Sequence, residues 1–119
     1  MNRIKEAFKN KDKKILSVYF TAAYPHLEDT SEIIKELVKN AVDLIEIGIP
    51  FSDPIADGEV IQHSNHVAIK NGINIKKIFS QIKDIRKTTQ VPLVMMGYFN
   101  PILKYGFENF CYSCHQIGI

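Results

Sequence analysis

The sequence predicts an α/β fold in which parallel strands alternate with helices, and three observations carry that prediction. Apolar runs rich in β-branched residues recur at 15–21 (ILSVYFT), 43–49 (DLIEIGI) and 91–97 (VPLVMMG). Between them lie longer segments whose apolar residues fall at helical spacing. Each strand also runs out at its C-terminal end into a polar, turn-forming loop. The order is one leading helix followed by β-α-β-α-β-α. Strands separated by helices pair in parallel through right-handed crossovers.

Residues 3–10 suit a short amphipathic helix with Ile4, Ala7 and Phe8 on one face. After the first strand, Tyr24-Pro25 breaks the chain. Residues 31–40 then place Ile33, Ile34, Leu37, Val38 and Ala41 on one helical face, with Asp29 or Thr30 as cap. A helix over 60–71 is expected to end at Gly72. Asn74 is placed to cap the next, whose stripe is Ile75, Ile78, Phe79, Ile82 and Ile85. Pro92 fits near the start of the third strand, where a missing N–H is tolerated. Asn100-Pro101 reads as a loop, and 105–116 as a last helix ended by Gly118. Gly118-Ile119 reads as the lead-in to a further strand, so residues 1–119 are expected to be the N-terminal part of a single, longer domain. No low-complexity linker interrupts them.

Composition narrows the function classes. The 119 residues are 45% hydrophobic, with 15 Lys+Arg against 13 Asp+Glu and a net charge of +2. That balance gives no footprint for nucleic acid, and the basic cluster Lys11, Lys13, Lys14 is interrupted by Asp12 and reads as a solvated loop. No apolar run approaches the roughly 20 residues of a membrane span, and the N-terminus lacks the apolar core of a signal peptide. With two cysteines and no export signal, the expected location is cytoplasmic, without a structural disulfide.

Two architectures suit the element order: an open doubly wound sheet, or the first three βα units of a (β/α)8 barrel. No G-x-G-x-x-G follows the first strand, which removes support from the dinucleotide-binding version. Polar residues gather after the C-terminal strand ends: Thr21, then Asp53 and Asp57, then Asn100. Barrel enzymes build their sites on that face.

The stretch 44–62, LIEIGIPFSDPIADGEVIQ, carries the chemistry. Glu46 lies in the middle of an apolar strand, where alternation puts Leu44, Glu46 and Gly48 on one face and Ile45 and Ile47 on the other. Packing the isoleucines against helices turns Glu46 into the barrel mouth. Desolvation there favours the protonated acid and suits it to general acid–base work near neutrality. The competing role is a structural Glu paired with a distant cation. Asp53 and Asp57, four apart in a loop with Pro54 and Gly58, serve equally as turn formers, with Gly58 at positive φ. No neighbouring ligand set supports a metal there. Cys111-Tyr112-Ser113-Cys114-His115 matches the C-x-x-C-H haem pattern, but inside an amphipathic helix it reads as ordinary packing. His63 and His66 lack a third ligand and read as surface residues.

The run from Glu46 to Gly58, EIGIPFSDPIADG, followed by Ile61-Gln62, resembles the signature of the tryptophan synthase α subunit family. Two flanking pieces agree in order and spacing, YFTAAYP at 19–25 and MMGYFNP at 95–101, so the resemblance covers essentially the whole chain. It implies a TIM barrel, and a lyase of tryptophan biosynthesis that cleaves indole-3-glycerol phosphate to indole and glyceraldehyde 3-phosphate in a retro-aldol reaction. By the resemblance Glu46 is the general acid/base at indole C3 and the side-chain hydroxyl. Asp57 accepts the indole N–H and stabilises the positive charge that develops there. Tyr19 and Tyr98 fall on positions that line the indole pocket. Asp53, Pro54 and Asn100 face a β subunit, which carries pyridoxal phosphate in an α2β2 assembly. The α subunit itself needs no cofactor.

This sequence departs from the family pattern at Glu59, where proline is usual, and at Ala23, where glycine is common. The family's barrels run to roughly 250 residues. The remaining part is expected to hold the phosphate grip and the loop that closes the site, so the 119 residues alone are expected to turn over negligibly. An alternative reading is a non-catalytic partial barrel that retains only contacts with a β subunit. Another phosphate-sugar barrel enzyme would leave the Ala56-Asp57-Gly58 loop unexplained.

Overall fold

The computed structural model describes residues 2–9, 12 and 14–119. Its centre is a three-stranded parallel sheet in the order β1-β2-β3, with β1 at Ser17–Thr21, β2 at Leu44–Gly48 and β3 at Leu93–Met96. The register sets Tyr19 beside Glu46 and Glu46 beside Val94, so all three project from the same side of the sheet. The opposite side is the core. Ile45 and Ile47 are fully buried there, while Leu44 and Glu46 keep contact with solvent. The alternation expected for β2 is therefore realised.

Helices cover the isoleucine face. α2 (Asp29–Lys39) buries Ile34, and α4 (Ile75–Ile82) buries Ile75, Ile78, Phe79 and Ile82, with Ile85 following in a 3-10 turn. The whole predicted stripe of α4 is thus in the core. Asn74 caps that helix as expected, its side chain accepting from the Lys77 N–H at 2.9 Å. α3 (Glu59–Lys70) ends at Asn71 and Gly72, where φ is +90°.

Four expectations are corrected. The start of α2 is not capped by Asp29 or Thr30, which both lie inside the helix. Asp29 instead accepts from the His26 N–H, and Thr30 from the Ala23 N–H at 3.0 Å, so both fasten the preceding turn. α1 (Arg3–Lys9) forms, yet Ile4 and Phe8 are exposed and none of its residues is buried. Asn10, with Lys11 and Lys13 of the basic cluster, lies outside the described residues. Asn100-Pro101 is not a loop but the first turn of α5 (Phe99–Tyr105), where proline's missing N–H costs no helical bond. The last helix forms as expected but starts at Phe107, not at 105, because Gly106 at φ +100° separates α6 (Phe107–Ile117) from α5.

The turn after β1 is held by several bonds. Asn71 donates to the carbonyls of Ala23 and Pro25, both at 2.9 Å. Thr21 and Ser64 share a buried hydroxyl pair at 2.7 Å, which joins β1 to α3. Ala23 sits at φ +61°, a left-handed conformation that glycine adopts without strain. That accounts for glycine being common at this position in the family it resembles. At the other end of the sheet Arg86 donates to Val91 O and Gly118 O, both at 2.7 Å, fixing the exit of α6. Burial, with the nearby Arg3 charge, lowers the Arg86 pKa to about 10.

Candidate functional site

The C-terminal strand ends, with the loop after β2, gather the polar groups. Glu46 projects from the open face of β2, and its Oε1 accepts from the Ser17 hydroxyl at 2.7 Å. Ser17 lies on β1, two residues before Glu46's register partner Tyr19, so strand pairing aims the carboxylate. Oε2 is left for another donor.

Asp57 comes from the loop, folded by an Asp57 N–H to Pro54 O bond of 3.0 Å and an Ile55 N–H to Asp53 O bond of 2.8 Å. The Tyr98 hydroxyl then locks it. It accepts from the Ala56 N–H at 2.9 Å and donates to Asp57 Oδ2 at 2.9 Å. One phenol therefore spans 41 residues of sequence, fixing the backbone of the loop and the orientation of its carboxylate. Phe51 packs on the Tyr98 ring with centroids 5.1 Å apart. Gln62 holds Asp57 O at 2.9 Å from the first turn of α3. Asn65, almost fully buried, takes the Phe51 N–H at 2.8 Å and gives its amide to Ile61 O at 2.8 Å. The loop is thus anchored at both ends before any ligand arrives.

Tyr19 completes the arrangement. Its ring lies over Gly48 so closely that a Cβ there would stand 2.2 Å from the phenol oxygen. Tyr19, Asp57, Tyr98, Met96 and Gly97 bound a cavity of about 280 Å³. Burial raises the Tyr19 pKa; the Thr21 hydroxyl opposes that, and the Asp57 and Glu46 carboxylates add to it. Desolvation, followed by the bond to Asp57, raises that of Tyr98. Both phenols are therefore protonated donors at neutral pH, facing two carboxylates. An aromatic slot with an acceptor on its loop wall, and a carboxylic acid on the strand face next to Tyr19, suits proton transfer to a flat, N–H-bearing substrate.

Residues 5–119 match the family model described as tryptophan synthase alpha chain. The chain belongs to the tryptophan synthase alpha chain family. It is 58% identical over 119 residues to the tryptophan synthase alpha chain of Flavobacterium psychrophilum, covering all of this chain and 47% of that protein. The crystal structure of tryptophan synthase subunit alpha from Legionella pneumophila superposes with a TM-score of 0.93 at 39% identity, over 99% of this chain and 47% of that one. A mutant tryptophan synthase alpha-subunit from Pyrococcus furiosus gives a TM-score of 0.82 at 39% identity, over 88% and 42%. The chain spans about half the length of the relatives it matches, and its three βα units correspond to the same part of their barrels.

Within the tryptophan synthase alpha framework, the structure brings Tyr19, Asp57 and Tyr98 around one cavity, with Glu46 on the same sheet face as Tyr19. Asp53 and Asn100 are exposed, whereas Pro54 is buried. Gly58 is corrected: it has φ −77° and serves as the extended N-cap of α3, not as a positive-φ turn residue. Cys111 is exposed and Cys114 half-buried, and His63 and His66 are exposed. Among the described residues no group of three or more His, Cys, Asp or Glu is placed to hold a metal ion. No helix among them is long and apolar enough to cross a membrane.

Sequence reasoning missed Ser17, Asn65 and the locking role of the Tyr98 hydroxyl. A polar residue at a core-facing helical position was the available signal for Asn65. Ser17 and Tyr98 act through pairings that only the register and the loop path reveal.

Proposed function

We propose that this chain supplies the acid–base half of a lyase site that cleaves indole-3-glycerol phosphate into indole and glyceraldehyde 3-phosphate. The observation that carries the reading is the Tyr98–Asp57–Ala56 lock, facing a sheet side that presents Glu46. With Oδ2 held by Tyr98, Asp57 Oδ1 is free to accept an indole N–H. Its charge favours the positive charge that grows on the ring once C3 is protonated. Glu46 acts at the other end. Its carboxyl delivers the proton to C3, and its carboxylate withdraws the proton of the side-chain hydroxyl as the C–C bond breaks. Ser17 holds one oxygen of Glu46 and so orients the other. The rings of Tyr19 and Tyr98 flank the substrate plane.

In this reading the chain's own chemistry uses no cofactor. Asp53 and Asn100, both exposed, contribute to the surface that meets a β subunit, the pyridoxal phosphate-bearing partner of an α2β2 assembly that consumes the indole, and buried Pro54 shapes the loop behind them. Glu59 occupies an exposed position at the start of α3, beside the loop, where its charge also favours the helix N-terminus.

The test is indole release from indole-3-glycerol phosphate by the full-length protein, followed by absorbance. Wild-type turnover is expected, and Asp57→Asn should retain part of it, because an amide oxygen still accepts the N–H. Wild-type protein without indole release would contradict the proposal and favour a non-catalytic partner of the β subunit.

A further inference from the structure

We propose that the Tyr19 hydroxyl is a specificity-determining donor that holds the oxygen-bearing side chain of the substrate beside Glu46, an inference that rests on the lyase reading above. Tyr19 and Glu46 are register partners on adjacent parallel strands and project from the same face. The ring does not stand upright there. It leans toward the C-terminal end of the sheet until its hydroxyl covers Gly48, two residues beyond Glu46. Two residues of strand are roughly 6–7 Å, so the phenol oxygen occupies the level between Glu46 and the loop that carries Asp57. Both carboxylates act on it electrostatically.

The other hydroxyls near this face are committed. Ser17 donates to Glu46. Tyr98 accepts from Ala56 and donates to Asp57. Thr21 is paired with buried Ser64. Tyr19, whose hydroxyl has the Thr21 hydroxyl as a neighbour, borders two cavities, one of about 280 Å³ with Asp57 and Tyr98, and one of about 450 Å³ with Thr21, Glu59 and Ser64. It is the wall between them. Glu46 and Asp57, when ionised, only accept hydrogen bonds. A substrate that offers an N–H to Asp57 and carries oxygens on its side chain needs a donor at the point where ring and side chain meet. The neutral phenol of Tyr19 stands at that point.

Tyr19→Phe removes the donor and keeps the ring. In the full-length protein, kcat/KM for indole-3-glycerol phosphate should fall about tenfold, the value of one neutral hydrogen bond to substrate. Affinity for indole itself, which has no side-chain oxygen, should be unchanged, and so should the thermal midpoint. Wild-type kcat/KM in Tyr19→Phe would overturn the inference. So would an equal loss of affinity for indole, because the hydroxyl would then serve the ring and not the side chain. A Glu46→Gln variant run in parallel separates the two levels: if it turns over normally, the lyase reading itself fails, whatever Tyr19→Phe does.

Discussion

Gly48→Ala is expected to destabilise the chain even though alanine is the better strand residue. Gly48 lies in the central strand with no positive φ, so the backbone accepts alanine and gains about 0.5–1 kcal/mol from the smaller loss of chain entropy. Against that stands the new Cβ, 2.2 Å from the Tyr19 oxygen, 2.6 Å from Cζ and 2.9 Å from Cε2. Overpacking of this kind costs roughly 1–3 kcal/mol. Because the obstacle is the outer end of one side chain on the open face of the sheet, relief by rotation keeps the cost in the lower half of that range. The net is a loss of about 1 kcal/mol. Urea denaturation of the purified chain measures it, and a double-mutant cycle with Tyr19→Ala isolates the cause. In the Tyr19→Ala background the same change should become stabilising by about 0.5 kcal/mol, since only the backbone term remains. Equal destabilisation in both backgrounds would refute the contact as the reason for glycine at this position.

Three further outcomes follow from the geometry. Tyr98→Phe keeps the stacking on Phe51 but frees Ala56 and Asp57, so amide exchange should accelerate at Ala56 and remain unchanged in β2; unchanged exchange at Ala56 would show that the loop holds itself. Ala23→Gly should raise stability by about 0.5–1 kcal/mol, the left-handed strain of roughly 1–2 kcal/mol outweighing glycine's entropy; a fall in urea midpoint would contradict this. Burial pushes the Cys114 thiol up to about 11 from 9.0, so at pH 8 a disulfide reagent should label exposed Cys111 fast and Cys114 slowly. The folded form holds that proton longer than the unfolded one. The Cys114 contribution to stability is therefore complete below pH 9 and is lost as pH rises from 9 toward 11; a contribution that grows across that window would have the wrong sign.

Much of this was legible in the sequence, for identifiable reasons. The stripe of α4 and the alternation in β2 are periodic patterns of burial, and periodicity survives without coordinates. Glu46 stood out because an acid in an apolar strand contradicts its surroundings. The misplaced features were local choices decided by tertiary partners. Asp29 and Thr30 look like caps, but His26 and Ala23 offered their side chains nearer N–H groups. Asn-Pro reads as a break, yet the first turn of a helix tolerates it, and Gly106 a few residues later makes the real break. Gly58 signalled a turn and turned out to be an extended cap. The Tyr98 lock joins positions 41 residues apart, and no short-range pattern encodes such a bond.

The most direct test of the central assignment is the rate of indole release by Glu46→Gln in the full-length protein. The glutamine keeps the size of the side chain and can still accept from Ser17, but it cannot deliver or take a proton. Turnover should be abolished while substrate affinity stays nearly unchanged, as expected for a group that acts in the transition state. Near-normal turnover would remove Glu46 from the acid–base role and leave its bond to Ser17 as a structural one.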